Sequence, residues 1–549
     1  MIYNIIAIIV CVILPFVLLK KELNIKDKNL KSIIKENKYI IIIYSILMVG
    51  MLVRLVDIQN QPNGLNCDEA SSGYEAYSIA NYGIDRNGNS MPVFLLSWGS
   101  GQNALYTYMI IPFVKLFGLS VLSTRLPMAI LGCISLIVMY KLLEMISNKK
   151  LAIIGLAFFA ICPWHIMKSR WGLESNVFPD LVLIAIFFII RALQQRKMYK
   201  LYIGFGFLGL CAYAYGTSYF FLPLFVIPLL IYLLYKKEIE WKNALISFAI
   251  VSIVSLPIIL YVIINTFGLP QLKILYFTIP RMTTNRYEEL SSVFSSDFIN
   301  KSFNNFVESI KILIFQTDGS GWNSLSPYGI TYIFSLPLMI IGVFNSFTKK
   351  KSKNYIYVNI INLWFAAAVL LLLAVEPNIN RINIIMIPIV FYTIVGIYEI
   401  VCNARKVSLL ITIIYIVSFC FFVKDYSKLN FDNYYVFMDK IEEPIEYISN
   451  LDVNKIYVQY AFKEPYIYFL FYEGTNPNEF CTTMEKFNGN KSFDNVKSFG
   501  KYNFYLPENI EHENGTVYLL SKENNLDIDY SDWKVTEFEK FIVLENKEK

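Results

Sequence analysis

The sequence predicts a polytopic α-helical membrane protein of about 12 transmembrane helices, carrying a small α/β domain at its C-terminal end. Three observations predict it. Apolar residues make up 55% of the 549 and charged residues only 17%. The apolar residues fall in repeated blocks close to the ~20 residues that cross a bilayer. From Asp425 onward the chain becomes charged and aromatic, with 13 Lys against 23 Asp plus Glu.

Hydropathy sets the spans near residues 1–19, 39–56, 121–143, 150–168, 177–191, 201–217, 219–235, 244–265, 328–347, 355–375, 382–401 and 407–424. The first block has no basic residues before it and no small-residue cleavage site, so it reads as a retained span rather than a signal peptide. Charge then sets orientation, because short cytoplasmic loops collect Lys and Arg. Lys20 to Lys38 holds seven lysines, and Lys149-Lys150, "RALQQRKMYK", "YKKEIEWK", "TKKKSK" and "NARK" follow in alternate loops. The loops between them, "SRWGLES", "GTSY" and "EPNIN", hold one basic residue in total. This pattern puts segments 57–120, 266–327 and 425–549 outside a cell membrane. The expected division is a transmembrane domain over 1–424, with outer loops at 57–120 and 266–327, and an extracytoplasmic α/β domain over 425–549.

Segment 104–119, "ALYTYMIIPFVKLFGL", is short and interrupted by Pro112 and Lys115. It is expected to lie in the interface as an amphipathic helix, with Tyr106 and Tyr108 at headgroup level. In the tail, "NYYVFMDKIEEPIEYISN" and "EPYIYFLFYE" read as helices, and "KIYVQY", "TVYLLS" and "KFIVLE" as strands. Net charge is +6, with the basic excess facing lipid and cytoplasm rather than nucleic acid. Eight scattered Cys, with no CxxC, imply neither a disulfide framework nor a zinc site.

Ionisable groups near span ends are costly unless paired or wet, which makes each a candidate for function. On the outer side stand Asp68, Glu69, Glu75, Asp85, Arg86, Arg125, His165, Arg170, Glu174, Arg281, Arg286, Asp318, Glu376 and Arg381. In an extended loop the side chains of Asp68 and Glu69 diverge, so one working carboxylate is expected from the pair. Glycoside hydrolysis needs two carboxyls across the sugar. Transfer from a phosphate-linked sugar needs one base for the acceptor and cations for the leaving phosphate, which one acid plus several arginines fits. Arginine suits phosphate because its planar fork stays charged when partly desolvated. Arg170 in "PWHIMKSRWGLESN" and Arg381 in "EPNINRINIIMIP" lie at outer span mouths; each either snorkels to headgroups or joins a polar cluster, with Glu174 and Asn176 or with Asn378 and Asn380. His165, beside Trp164, reads more readily as an interfacial, hydrogen-bonded residue than as a base. Glu75, Asp85, Arg86, Gln102, His165, Glu174, Asn176 and Asn380 complete the candidate substrate-binding set. "WGSGQNALYTY" lacks GxGxxG and a P-loop lysine, so a nucleotide donor is disfavoured.

These residues resemble a known family. "CDEASSGYEAYSIANYGIDRNG", "YTYMIIPFVKLFGLSVLSTRLPMAILG" and "PWHIMKSRWGLESN" are similar to the C-type glycosyltransferases, in particular the bacterial branch akin to protein mannosyltransferases and the lipid A aminoarabinose transferase. The resemblance covers roughly 40–400. It implies inverting transfer of a sugar from a polyprenyl phosphate to an extracytoplasmic glycan, lipid or protein. It further implies Asp68 as the catalytic acid, with Glu69 beside it, and Arg170 and Arg381 as donor-phosphate ligands. Some relatives bind a divalent ion near the loop acid, so a metal is a possible cofactor; no other is implied. The span at 1–19 and the loop 266–327 depart from the family pattern, and a lid over donor or acceptor is expected of that loop. The alternative is a transporter or flippase of lipid-linked glycans, disfavoured because the acids cluster on one face and the spans carry almost no central charge.

Overall fold

The computed structural model describes residues 2–23, 36–98, 101–282, 292, 297–348, 354–431, 436–487, 495–523 and 529–547. Each of the twelve expected spans overlaps helical structure, though not every one matches a single spanning helix. Among the described residues nine helices are long and apolar enough to cross a membrane, or ten if Lys149–Ile161 and Pro163–Ser169, bent by 59°, make one span. The remaining two segments are the shorter helices Met198–Leu210 and Leu336–Thr348. The chain is a multi-pass membrane protein.

Two compact units emerge: residues 1–58, 128–256 and 287–429 form the first, and 59–127, 257–286 and 430–549 the second. In the first, helices approach where glycine replaces a side chain. A Cβ on Gly342 would lie 1.7 Å from the Tyr392 carbonyl oxygen, and one on Gly396 would lie 1.9 Å from that of Leu338. Leu336–Thr348 and Met386–Asn403 therefore cross backbone against backbone, the contact that small residues permit between helices in lipid.

The second unit joins the tail to 59–127 and 257–286, segments the sequence reading expected as loops, so the compact unit that holds the tail extends beyond 425–549. Its sheet uses β1 (Lys455–Val458), β2 (Glu485–Lys486), β3 (Val496–Phe499), β4 (Tyr502–Asn503), β5 (Thr516–Ser521), β6 (Trp533–Glu537) and β7 (Phe541–Asn546), in the order β6-β7-β5-β1-β4-β3-β2. Strand β1 runs parallel to β4 and β5, with Val517 opposite Ile456, and the other pairs are antiparallel. Alternation divides β5 between two faces. Val517 and Leu519 enter the main core with Ile456, Val458 and Val543; Tyr518 and Leu520 pack with Trp533 and Leu544. Helices Glu442–Ser449 and Tyr466–Glu473 supply Ile445, Ile448, Ile467 and Phe469 to the main core.

The same core takes Leu65, Cys67, Ala70 and Tyr74 from what the sequence read as an outer loop. Residues Cys67–Tyr82 are a helix, not an extended loop. The Tyr74 and Tyr77 hydroxyls donate to the carbonyls of Thr475 (2.9 Å) and Gly474 (2.9 Å), and that of Tyr468 to Leu65 (3.1 Å). A Cβ at Gly73 would meet Thr124 Oγ1 at 2.5 Å and Phe471 Cε2 at 2.7 Å, so the close approach requires glycine there.

The interfacial expectation for 104–119 needs correcting. Leu105–Phe117 is a helix, but Tyr106 is buried with its hydroxyl on the Thr124 carbonyl (2.5 Å), and Tyr108 donates to the Pro92 carbonyl (2.9 Å). Both phenols serve protein carbonyls rather than headgroups; Leu116 and Phe117 are the exposed apolar side chains. Of segment 266–327, strands Leu272–Ile274 and Phe277–Ile279 pair as a hairpin, and Phe298–Phe315 is a helix. Arg286 and the centre of the expected lid lie outside the described residues.

Candidate active site

Helix Cys67–Tyr82 begins with a capping box. The Asn66 side chain accepts from the Asp68 amide (2.8 Å), and Glu69 Oε2 accepts from the Asn66 amide (3.2 Å). This meets donors that the first helical turn leaves without partners. It also gives Asp68 and Glu69 opposite environments. Glu69 is fully buried and takes both prongs of Arg125, Nε to Oε1 at 2.8 Å and Nη2 to Oε2 at 2.8 Å. Arg125 in turn donates to the carbonyls of Pro62 (2.7 Å) and Gly64 (2.7 Å), pinning the chain that enters the helix.

Asp68 is partly exposed. Its Oδ1 accepts from Trp98 Nε1 (2.9 Å) and Gln102 Nε2 (3.3 Å). Among the described residues Oδ2 accepts no hydrogen bond. One oxygen thus orients the carboxylate and the other is available.

Behind it runs a buried polar relay. The Gln102 side-chain carbonyl accepts from the hydroxyls of Ser71 (2.9 Å) and Ser97 (3.2 Å). Arg86 donates to those same hydroxyls, Nη1 to Ser71 (3.0 Å) and Nη2 to Ser97 (2.8 Å), and pairs with Glu75 at 3.3 Å. The Arg86 guanidinium also lies 5.0 Å from the Trp98 ring centre and 5.8 Å from that of Tyr466, within cation–π range. Glu75 Oε2 accepts from the Arg86 amide (2.9 Å). Burial pushes the Glu75 carboxyl up to about 8, against the pull of Arg86. Asp85 closes its own turn, accepting from the amides of Asn87 (2.9 Å) and Asn89 (2.7 Å). Asp68, Glu69, Glu75, Arg86 and Gln102 thus gather about one helix.

His165, Arg170, Glu174, Asn176, Asn380 and Arg381 belong to the first unit. His165 is buried and locked: Arg54 Nη2 lies 2.7 Å from Nδ1, which makes Nδ1 the acceptor, and Nε2 then donates to Asp180 Oδ1 at 3.4 Å. Lys168 donates to Asp180 Oδ2 (2.6 Å) and to the Asn176 carbonyl (3.1 Å). Asn176 donates to the Trp171 carbonyl (3.2 Å). This is a structural clasp of charges, with His165 as its neutral link. Arg170 is mostly buried, donating to the carbonyls of Val53 (2.9 Å) and Val56 (2.8 Å) beside the Tyr426 ring. Arg381 keeps 24% of its side chain exposed and pairs with Glu376 at 2.9 Å. Glu174, in a single helical turn, and Asn380 are partly exposed. The sequence reading missed Trp98, Ser71, Ser97, Arg54, Lys168 and Asp180.

Among the described residues no three His, Cys, Asp or Glu side chains gather as a metal-binding group. With indole and amide donors on Asp68 Oδ1, the residues about it do not fit a divalent ion.

Residues 103–264 match the family model described as dolichyl-phosphate-mannose-protein mannosyltransferase. No curated protein matches the chain in sequence. Among solved structures, ArnT from Cupriavidus metallidurans bound to undecaprenyl phosphate is 11% identical, with a TM-score of 0.52 over 92% of this chain and 98% of that one. The archaeal oligosaccharyltransferase AglB from Archaeoglobus fulgidus, in complex with an inhibitory peptide and a dolichol-phosphate, is 12% identical, with a TM-score of 0.50 over 81% of this chain and 64% of that one. The A. fulgidus oligosaccharyltransferase in complex with Zn and sulfate is 13% identical, with a TM-score of 0.51 over 79% and 61%. This chain thus spans less than two thirds of the archaeal protein's length. At these identities the likeness is one of fold alone.

Proposed function

We propose that this protein is a glycosyltransferase of the cell membrane that moves a sugar from a polyprenyl-phosphate donor to an acceptor outside the cell, with inversion. The single observation that carries this is Asp68: a carboxylate oriented through one oxygen, open at the other, at the head of a rigidly capped helix. The matched mannosyltransferase model and the polyprenyl phosphates in the similar solved structures supply the donor class.

In the proposed reaction Asp68 Oδ2 takes the proton from the acceptor hydroxyl or amine. The freed lone pair forms the bond to the anomeric carbon. The bond from that carbon to the phosphate oxygen breaks, and its electron pair leaves with the polyprenyl phosphate. The family resemblance proposes Arg170 and Arg381 for that phosphate, and of the two Arg381 keeps the more exposed side chain. Glu69 has no share in proton transfer, because both its oxygens are engaged by Arg125 and the helix cap.

The test is sugar release from radiolabelled undecaprenyl-phosphate sugars by purified protein in detergent. Asp68→Asn keeps the helix and its cap and is expected to lower turnover by about 10²–10⁴-fold, the usual contribution of a positioned base. Unchanged turnover in that variant would exclude Asp68 as the base. Arg381→Ala is expected to raise the donor KM while leaving thermal stability within about 1 kcal/mol, since its ion pair is at the surface.

A further inference from the structure

The hairpin of Leu272–Ile274 with Phe277–Ile279 has two faces of different chemistry. Leu272 lies opposite Ile279 and Ile274 opposite Phe277, so these four side chains share one face, while Lys273 and Thr278 share the other. On the apolar face Leu272, Ile274 and Phe277 are exposed, and the tip adds Leu275 at 91% and Tyr276 at 78% exposure. Phe267 and Leu269, just before the first strand, are exposed as well. Lys273 is the one charged residue between Phe267 and Phe277. A two-stranded hairpin is marginal on its own in water, and a contiguous exposed apolar patch marks a contact surface.

The tip carries a second, independent sign. Leu275 sits at φ 53°, the left-handed region where two-residue hairpin turns ordinarily place Gly, Asn or Asp. A leucine there bears backbone strain and turns its side chain outward, away from any packing inside the fold.

The place of the hairpin in the chain says what covers it. It begins after residues 267–271, directly beyond the span Trp241–Thr266. Asn265, in the last turn of that span, ties down the returning strand: its Nδ2 donates to the Pro280 carbonyl (3.2 Å) and its Oδ1 accepts from the Met282 amide (2.6 Å). Departure and return are thus both fixed where the chain leaves the bilayer. The surface at that level is lipid. Leu275 and the apolar face suit the boundary of the acyl chains, Tyr276 the headgroup layer, and Lys273 on the reverse face the lipid phosphates. The backbone edges stay at water depth, because open sheet edges are not tolerated in hydrocarbon.

The base of the hairpin leads to Asp68. The Val93 amide donates to the Thr278 carbonyl (3.0 Å), and the Phe94 ring stacks on Tyr261, 4.1 Å between centres. Phe94–Leu95 pairs with Gln102–Asn103, and Gln102 donates to Asp68 Oδ1.

We propose that the hairpin 272–279 is a membrane-surface anchor whose tip, Leu275 and Tyr276, is seated in the leaflet at which the span Trp241–Thr266 ends. Through Val93, Phe94 and Gln102 it holds the Asp68 carboxylate at the height of the lipid headgroups. The seating stands on the hairpin alone; its consequence for Asp68 rests on the glycosyltransferase function proposed above, whose donor carries its phosphate at that height.

The experiment attaches bimane to Leu275→Cys in the full-length protein, with Cys402, Cys420 and Cys481, the cysteines that are not buried, replaced by Ser. The protein is reconstituted in vesicles of phosphatidylcholine and phosphatidylglycerol. Quenching by lipids brominated near the headgroup end of the acyl chain is compared with quenching by aqueous iodide, and Ser531→Cys, at an exposed position of the sheet domain, is the aqueous reference. Bimane at Leu275 is expected to be quenched by the brominated lipid and to be about fivefold less sensitive to iodide than bimane at Ser531. Iodide quenching equal to that at Ser531, without quenching by lipid, overturns the anchor. Quenching by neither, the result of burial against a second copy or another protein, overturns it as well. A doubly charged tip, Leu275→Glu with Tyr276→Glu, reads the consequence for Asp68. It is expected to raise the KM for undecaprenyl-phosphate sugar in vesicles about tenfold while leaving kcat and the turnover in detergent within about twofold, a split that misfolding would not give. Equal kinetics of this variant and the wild type in vesicles overturns the coupling to Asp68. A wild type that consumes no donor, with its tip quenched by lipid, upholds the anchor and overturns the transferase.

Discussion

Asp68 and Glu69 are adjacent in sequence, yet their surroundings assign them different work. The Glu69–Arg125 pair has no exposure on either side chain, and breaking such a pair leaves an uncompensated buried charge. Arg125→Ala is expected to destabilise the protein by about 3–5 kcal/mol, read as a lower melting temperature in detergent. Glu75 makes a prediction in pH. Its carboxyl rises from 4.5 to about 8 on folding, so the folded state holds a proton that the unfolded state releases between those values. Stability from this group is therefore full below the lower value and lost as pH climbs through the upper one. Glu75→Gln is expected to flatten the melting temperature across that window; an unchanged slope would place the titration elsewhere. Residue types alone singled out Asp68, Glu75 and Arg86 as candidates, because charge beside a span is costly. Partners distant in sequence, such as Trp98 and Ser97, left no mark in the local pattern.

At the level of elements, spans were legible because apolar length is set by the bilayer, and strands such as "TVYLLS" because β-branched and aromatic residues cluster there. Helix Cys67–Tyr82 was not, since "SSGYEAYS" has no apolar stripe. Its signal was present as a capping box, Asn66 followed three residues later by Glu69. Asn66→Ala is expected to cost about 1 kcal/mol, the usual worth of an N-cap. The crossing of Leu336–Thr348 with Met386–Asn403 was equally hidden, because a single glycine per helix says nothing about its partner. Gly342→Ala and Gly396→Ala each drive a methyl into a backbone carbonyl, so both are expected to lower the melting temperature sharply. A neutral outcome for both would contradict the close approach.

At the scale of the whole molecule, the change of composition at Asp425 revealed a second domain but not its extent. Segments 59–127 and 257–286 join 430–549 in one unit, an association hydropathy cannot report because it depends on contacts such as Tyr468 with Leu65. Lysine-rich loops alternate with nearly uncharged ones, and on that basis this unit faces the exterior in the proposed function. The most direct measurement is sugar transfer in sealed proteoliposomes of known orientation, with labelled undecaprenyl-phosphate sugar in the bilayer and a membrane-impermeant acceptor on one side only. The account predicts glycosylated product when the acceptor shares the side of the C-terminal unit, and none with Asp68→Asn. Product formed only from the opposite side, or formed equally by Asp68→Asn, would contradict it.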